Sequence, residues 1–126
     1  MGLDQNINYN PSYMEFDQYF RKVNFLQGYF EREYNMDNLE VIPISEDDMY
    51  YLYEHTGKIL ELVKDGKDWA SYAKKYLPTK PGFFYGSYDY NGSCLQDVKD
   101  VFQAFQTMVG LCNSYDDVEP TYTCWY

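Results

Sequence analysis

The chain has 126 residues, a net charge of −10, and a composition that is 45% hydrophobic and 21% aromatic. That length and apolar content exclude disorder as the default and specify one domain able to bury a core. Ten bases against 20 acids exclude a general nucleic-acid footprint, which needs clustered positive charge.

Residues 1–11 read as a polar, flexible arm ending at Pro11. Ser12 with Glu15 forms a capping-box pattern, and Phe16, Phe20, Val23, Leu26 or Gln27, and Phe30 recur at helical spacing. The spacing predicts a helix over about 13–34. Residues 39–44 are short and β-branched and stop at Pro43, as an edge strand does. Ser45 reads as the cap of a second helix, with Glu46, Asp47 and Asp48 in its first turn and Lys64 and Gly66 at its end. Its core face is Met49, Leu52, Tyr53, Thr56, Ile59, Leu60 and Val63. Trp69, Tyr72, Ala73, Tyr76 and Leu77 share one face of a short third helix that Pro78 ends. Ser93 with Gln96 suggests another capping box, opening a fourth helix with Val98, Val101, Phe102, Phe105, Met108, Val109 and Cys112 on its apolar stripe. Residues 120–126 are strand-like and can pair with 39–44. The expected fold is mainly α: a single compact four-helix domain over 1–126 with a minor two-stranded β element.

Between the third and fourth helices lies the segment 78–92, with Pro78, Pro81, three glycines and five aromatics. It cannot be helical, and structureless connections of that length tend to be functional. Phe83 and Phe84 are expected to plug the core. Lys80, Tyr85, Tyr88, Asp89 and Tyr90 are the candidate recognition residues, since buried tyrosines each need a hydroxyl partner whereas exposed ones anchor interfaces. Residues 67–92 carry Lys67, Lys74, Lys75 and Lys80 against Asp68 and Asp89, a balance of +2, so the remainder stands at −12. Lys74 and Lys75 therefore support an alternative: a bound nucleotide, with lysines on phosphate and loop aromatics stacking the base.

Elsewhere the chemistry is sparse. His55 is the single histidine, inside the second helix, where it reads as a solvated or rim residue; alone it supports neither a triad nor a common zinc site. Glu46, Asp47 and Asp48 read as helix-start acids, Asp97 and Asp100 as solvated helix acids one turn apart, and Asp116, Asp117 and Glu119 as a turn. Cys94, Cys112 and Cys124 lack metal spacing and suit a reduced compartment, with a Cys112–Cys124 bridge the unsupported option. No cofactor fingerprint, signal peptide or membrane span is read.

Leu77-Pro78-Thr79, Gly82-Phe83-Phe84-Tyr85-Gly86-Ser87 and Tyr88-Asp89-Tyr90, followed by Asp97-Val98-Lys99-Asp100 and the tail Tyr122-Thr123-Cys124-Trp125, together resemble a family of small phage and prophage proteins with a Leu-Pro-Thr-x-x-Gly-Phe-Phe-Phe-Gly-Ser core and an aromatic-ended tail. Arg21-Lys22-Val23-Asn24 fits the same family's Arg-Lys-Ala-Asn start, so the resemblance covers about residues 20–126. In the tail, Thr123-Cys124 replaces the family's two serines. The resemblance implies a non-structural phage product acting in the host cytoplasm. Joined to the charge, it leads to the expectation of a non-enzymatic counter-defence or host-takeover protein, an anti-CRISPR-like inhibitor without cofactor or metal. Its partner would be a host protein such as a nucleic-acid-binding defence enzyme, with a homodimer as a further option and no direct contact to nucleic acid or membrane. A ligand-sequestering protein using the aromatic loop is the alternative; a virion subunit is a weaker third.

Overall fold

Asp4, Asn6 and Asn8 alternate with Gln5 and Ile7, and in the computed structural model, which describes residues 2–80 and 89–126, this alternation is strand β1 (Asp4–Asn8), with Gln5 and Ile7 buried. A short 3-10 segment (Pro11–Phe16) turns the chain into β2 (Gln18–Arg21), which pairs antiparallel with β1 through Gln5↔Phe20 and Ile7↔Gln18. After α1 (Asn24–Tyr34) comes β3 (Val41–Pro43), then α2 (Glu46–Lys64), α3 (Trp69–Tyr76), α4 (Gly92–Ser114) and β4 (Thr121–Trp125). The strands form one antiparallel sheet in the order β2-β1-β4-β3. Asp4↔Trp125 and Ile7↔Tyr122 set the register between the two central strands.

The architecture is α+β, which corrects the expectation of a four-helix domain with a two-stranded element. Two departures cause it. The residues read as a flexible arm supply a central strand. The helix read over 13–34 begins only at Asn24, because Lys22 takes a left-handed φ of 57° and residues 18–21 join the β1 ladder instead. Phe16, Phe20 and Val23 fit a helical period, but cross-strand hydrogen bonds outweigh that weak local preference. β3 does pair with β4, through Val41↔Thr123 and Pro43↔Thr121, as the outermost pair of the larger sheet.

The second helix follows its sequence signals. Ser45 Oγ accepts from Asp48 N (3.1 Å), while Asp48 Oδ2 accepts from Ser45 N (3.0 Å), a reciprocal cap. At the other end Gly66 (φ 69°) lets Lys67 N reach Leu62 O (2.9 Å) and closes the helix. For α4 the cap is Asn91 rather than Ser93: its Oδ1 accepts from Ser93 N (3.0 Å) and Cys94 N (3.2 Å), and Gln96 turns to Asp100 (3.0 Å).

Phe20, Ile42, Tyr122 and Cys124 face inward from the sheet and meet Phe30, Leu52, Ile59, Val101, Phe105 and Met108 from the helices. Each such side chain contributes roughly 1.5–3 kcal/mol by leaving water. Phe30 stacks on Tyr122 at 4.1 Å between ring centroids. One polar chain crosses the core. Gln5 accepts from Val23 N (2.8 Å) and donates to Val23 O (3.0 Å) and to Tyr122 Oη (2.7 Å), and Tyr122 donates onward to Gln27 (2.7 Å). It ties β1, the start of α1 and β4 together, so a polar residue in a strand interior is fully used. Among the described residues no helix is long and apolar enough to cross a membrane.

Candidate functional site

The segment 78–92 leaves α3 and returns at α4, and its described ends are fastened at several points. Tyr90 Oη accepts from Thr79 N (3.1 Å) and donates to Leu77 O (3.0 Å), so one hydroxyl joins the outgoing and incoming chain. The Asn24 side-chain amide brackets Lys80: Oδ1 accepts from its N–H (2.6 Å) and Nδ2 donates to its carbonyl (2.7 Å). Arg32 Nη1 donates to Pro78 O (3.1 Å), and Tyr51 Oη donates to Tyr76 O (2.7 Å). Gly28 allows this approach, since a Cβ there would lie 3.2 Å from Pro78 O.

The candidate residues divide accordingly. Lys80 binds Glu31 at 3.0 Å and Tyr90 clamps backbone, so both hold the base of the segment. Asp89 is exposed. Tyr85 and Tyr88, with the expected core plug Phe83 and Phe84, lie outside the described residues. The lysines do not converge on one anion. Lys74 Nζ stands 5.8 Å from the Tyr90 ring centroid and Lys75 Nζ 5.2 Å from that of Tyr76, while Lys80 pairs with α1. Lys74, Thr79, Asp89 and Tyr90 do line one open cleft of about 590 Å³. A second cleft of about 230 Å³, lined by Arg21, Lys22, Asn24, Asp89 and Asp97, lies on the α1 side. Burial and then the Asp100 charge lift the Asp97 carboxyl to about 6. Burial and Asp97 push the Cys94 thiol to about 11, away from the thiolate that reactive cysteines need.

Two groupings were not read from sequence. His55 is half-buried among rings: Tyr51 and Tyr76 lie 4.3 and 4.5 Å away between centroids, and its Nδ1 shares a 2.7 Å hydrogen bond with Tyr72 Oη. Burial lowers its pKa. The i, i+4 spacing of Tyr51–His55 and Tyr72–Tyr76 was the available signal; which helix faces met was not. The second grouping joins the 3-10 segment to the turn before β4. Tyr13 and Tyr115 rings lie 5.2 Å apart, Tyr13 Oη donates to Asp117 Oδ1 (2.7 Å), and Asn10 donates its amide to Asp117 O. Glu15, Asp17, Asp116, Asp117 and Glu119 lie on the same two segments, all exposed, and residues 10–17 and 114–119 contain no lysine or arginine. Met14 is 67% exposed and Tyr115 51%.

All three cysteines are free, so the Cys112–Cys124 bridge does not form. Among the described residues no three His, Cys, Asp or Glu side chains cluster as metal ligands would. Comparison with family models, curated proteins and solved structures finds no match.

Proposed function

We propose that this chain is a non-enzymatic binding protein, a phage-encoded counter-defence inhibitor of the anti-CRISPR-like kind. It engages a basic surface on a host protein, such as the nucleic-acid groove of a defence enzyme. The observation that carries this reading is the acidic, tyrosine-bearing patch of residues 10–17 and 114–119: five exposed carboxylates, two tyrosine rings in tilted contact and no base. Carboxylates displayed this way imitate phosphate to a basic groove and steer association, while Met14 and Tyr115 supply apolar contact. Ion pairing leaves the field unquenched, since Lys58–Glu61 and Lys80–Glu31 are the two salt bridges among the described residues. Asp89, with Tyr85 and Tyr88 beyond the described residues, is the second contact in this proposal.

The test is gentle purification from the host, followed by identification of what is retained. The expected result is a stoichiometric host protein, released at high salt. Asp116→Lys combined with Glu119→Lys should weaken its retention about tenfold at low salt. Retention indifferent to both would overturn the reading. A second reading, a nucleotide-sequestering protein, draws on the cleft where Lys74 stands over Tyr90. A bound nucleotide seen by absorbance and mass spectrometry, without a partner protein, would establish it instead.

A further inference from the structure

The two edges of the sheet are finished differently. At β3, Ile44 N donates to Pro120 O (2.9 Å), which fixes the phase so that Pro43 faces the open side. Proline has no N–H, and the strand is three residues long, so this edge is blunted. At β2, Lys22 N donates to Leu3 O (2.8 Å), so Gln18, Phe20 and Lys22 turn their backbone toward β1. Tyr19 and Arg21 then present N–H and C=O outward, with no strand beside them among the described residues. A cleft of about 380 Å³ runs alongside, between Gln18, Tyr19 and Phe20 on the strand and Asp100, Gln103 and Thr107 on α4. A free strand edge flanked by a helix is the geometry by which an extended peptide adds itself to a sheet.

We propose that the open edge of β2 and the facing side of α4 form a docking groove for an extended, lysine- or arginine-bearing segment of a partner protein. The peptide main chain pairs with Tyr19 and Arg21, and alternate side chains enter the cleft. Charge selects the occupant. Asp100 is the one charged side chain lining the cleft, and its carboxylate makes no ion pair among the described residues, with Gln96 as its hydrogen-bond donor. The chain's −10 field draws cations toward it. A second copy is disfavoured, because a two-fold contact would bring another Asp100 to the same groove. The groove's lining shares no residue with the 10–17 and 114–119 patch, so reversing Asp116 and Glu119 changes no groove residue and the two proposals fail independently.

The probe is a fluorescein-labelled octapeptide alternating lysine and threonine, read by fluorescence polarisation. Its controls are the glutamate-for-lysine peptide and the lysine peptide N-methylated at alternate residues. Each control should bind about tenfold more weakly or worse. Tyr19→Pro removes an outward N–H and spares the ladder to β1; Asp100→Lys changes an exposed helix position and serves if the proline variant fails to fold. Each should weaken the lysine peptide about tenfold. Hydrogen exchange at Tyr19 and Arg21 should slow on binding. Equal binding of the N-methylated peptide, unchanged exchange at those amides, or a native dimer that Tyr19→Pro converts to monomer would overturn the proposal.

Discussion

Asp97 shows how one side chain can make the stability of the fold follow pH. Its carboxyl, lifted to about 6 by burial and by Asp100, holds a proton more tightly in the folded chain than in the unfolded one. The associated stability is fully present below the unfolded value near pH 4 and is lost as the pH rises through about 6. Asp97→Asn should therefore melt at a higher temperature than the native chain at pH 7.5, with the two curves converging near pH 4. Thermal melts across that range check this, and a constant offset at every pH would show that the carboxyl is not held up. The neighbouring Cys94 belongs to the same buried corner, as a packing residue beneath the α4 cap.

Among the elements, α2 was the most legible and the β1–β2 ribbon the least. Ser45, the three acids after it and Gly66 mark α2 through bonds made within a few residues, so their meaning does not depend on what lies elsewhere. Gln5 and Ile7 acquire theirs only when Tyr122 and Phe20 arrive from distant parts of the chain. Five alternating positions, two of them asparagine and only one of them apolar, are too few to separate a strand from an arm. The ends of the candidate segment fall where α3 stops and α4 starts, yet Lys80 and Tyr90 proved to be fasteners, because Asn24 and Glu31 approach from a helix whose start was misplaced. Asp48 shows the same layering. As a cap it is local, but it also accepts from Tyr29 Oη (2.7 Å) and from Tyr34, and so joins α1 to α2. Ser45→Ala should cost about 1 kcal/mol, the usual worth of a cap. Asp48→Ala should cost roughly 2–4 kcal/mol, since it also strands the Tyr29 hydroxyl and loses the link to α1. Urea denaturation of both variants measures the difference, and equal losses would reduce Asp48 to a cap.

At the scale of the whole molecule, the N-terminal strand is the hinge of the architecture: β2 reaches the rest of the sheet only through β1. Removing residues 1–8 takes away that connection together with Leu3, Gln5 and Ile7, all fully buried. The shortened chain should lose its cooperative thermal transition by circular dichroism, whereas a true arm could be removed with a shift of only a few degrees. The surface tells a complementary story, with acids concentrated where Tyr13 meets Tyr115 and a single acid, Asp100, on the wall of the β2 groove.

The pairing of Asp4 with Trp125 also sets an order on synthesis. β1 is translated first, but its longest ladder is to the strand translated last. Until β4 emerges, β1 has only the four residues of β2 as a partner, and a two-stranded ribbon of that size is marginal in water. The nascent chain therefore carries Gln5, Ile7 and the edge of β2 exposed while α2, α3 and α4 are being made, and the sheet closes in one late step. Slow decoding near residues 121–125 would lengthen that exposure, whereas slow decoding in the middle of α2 would allow a self-contained helix to form in the meantime.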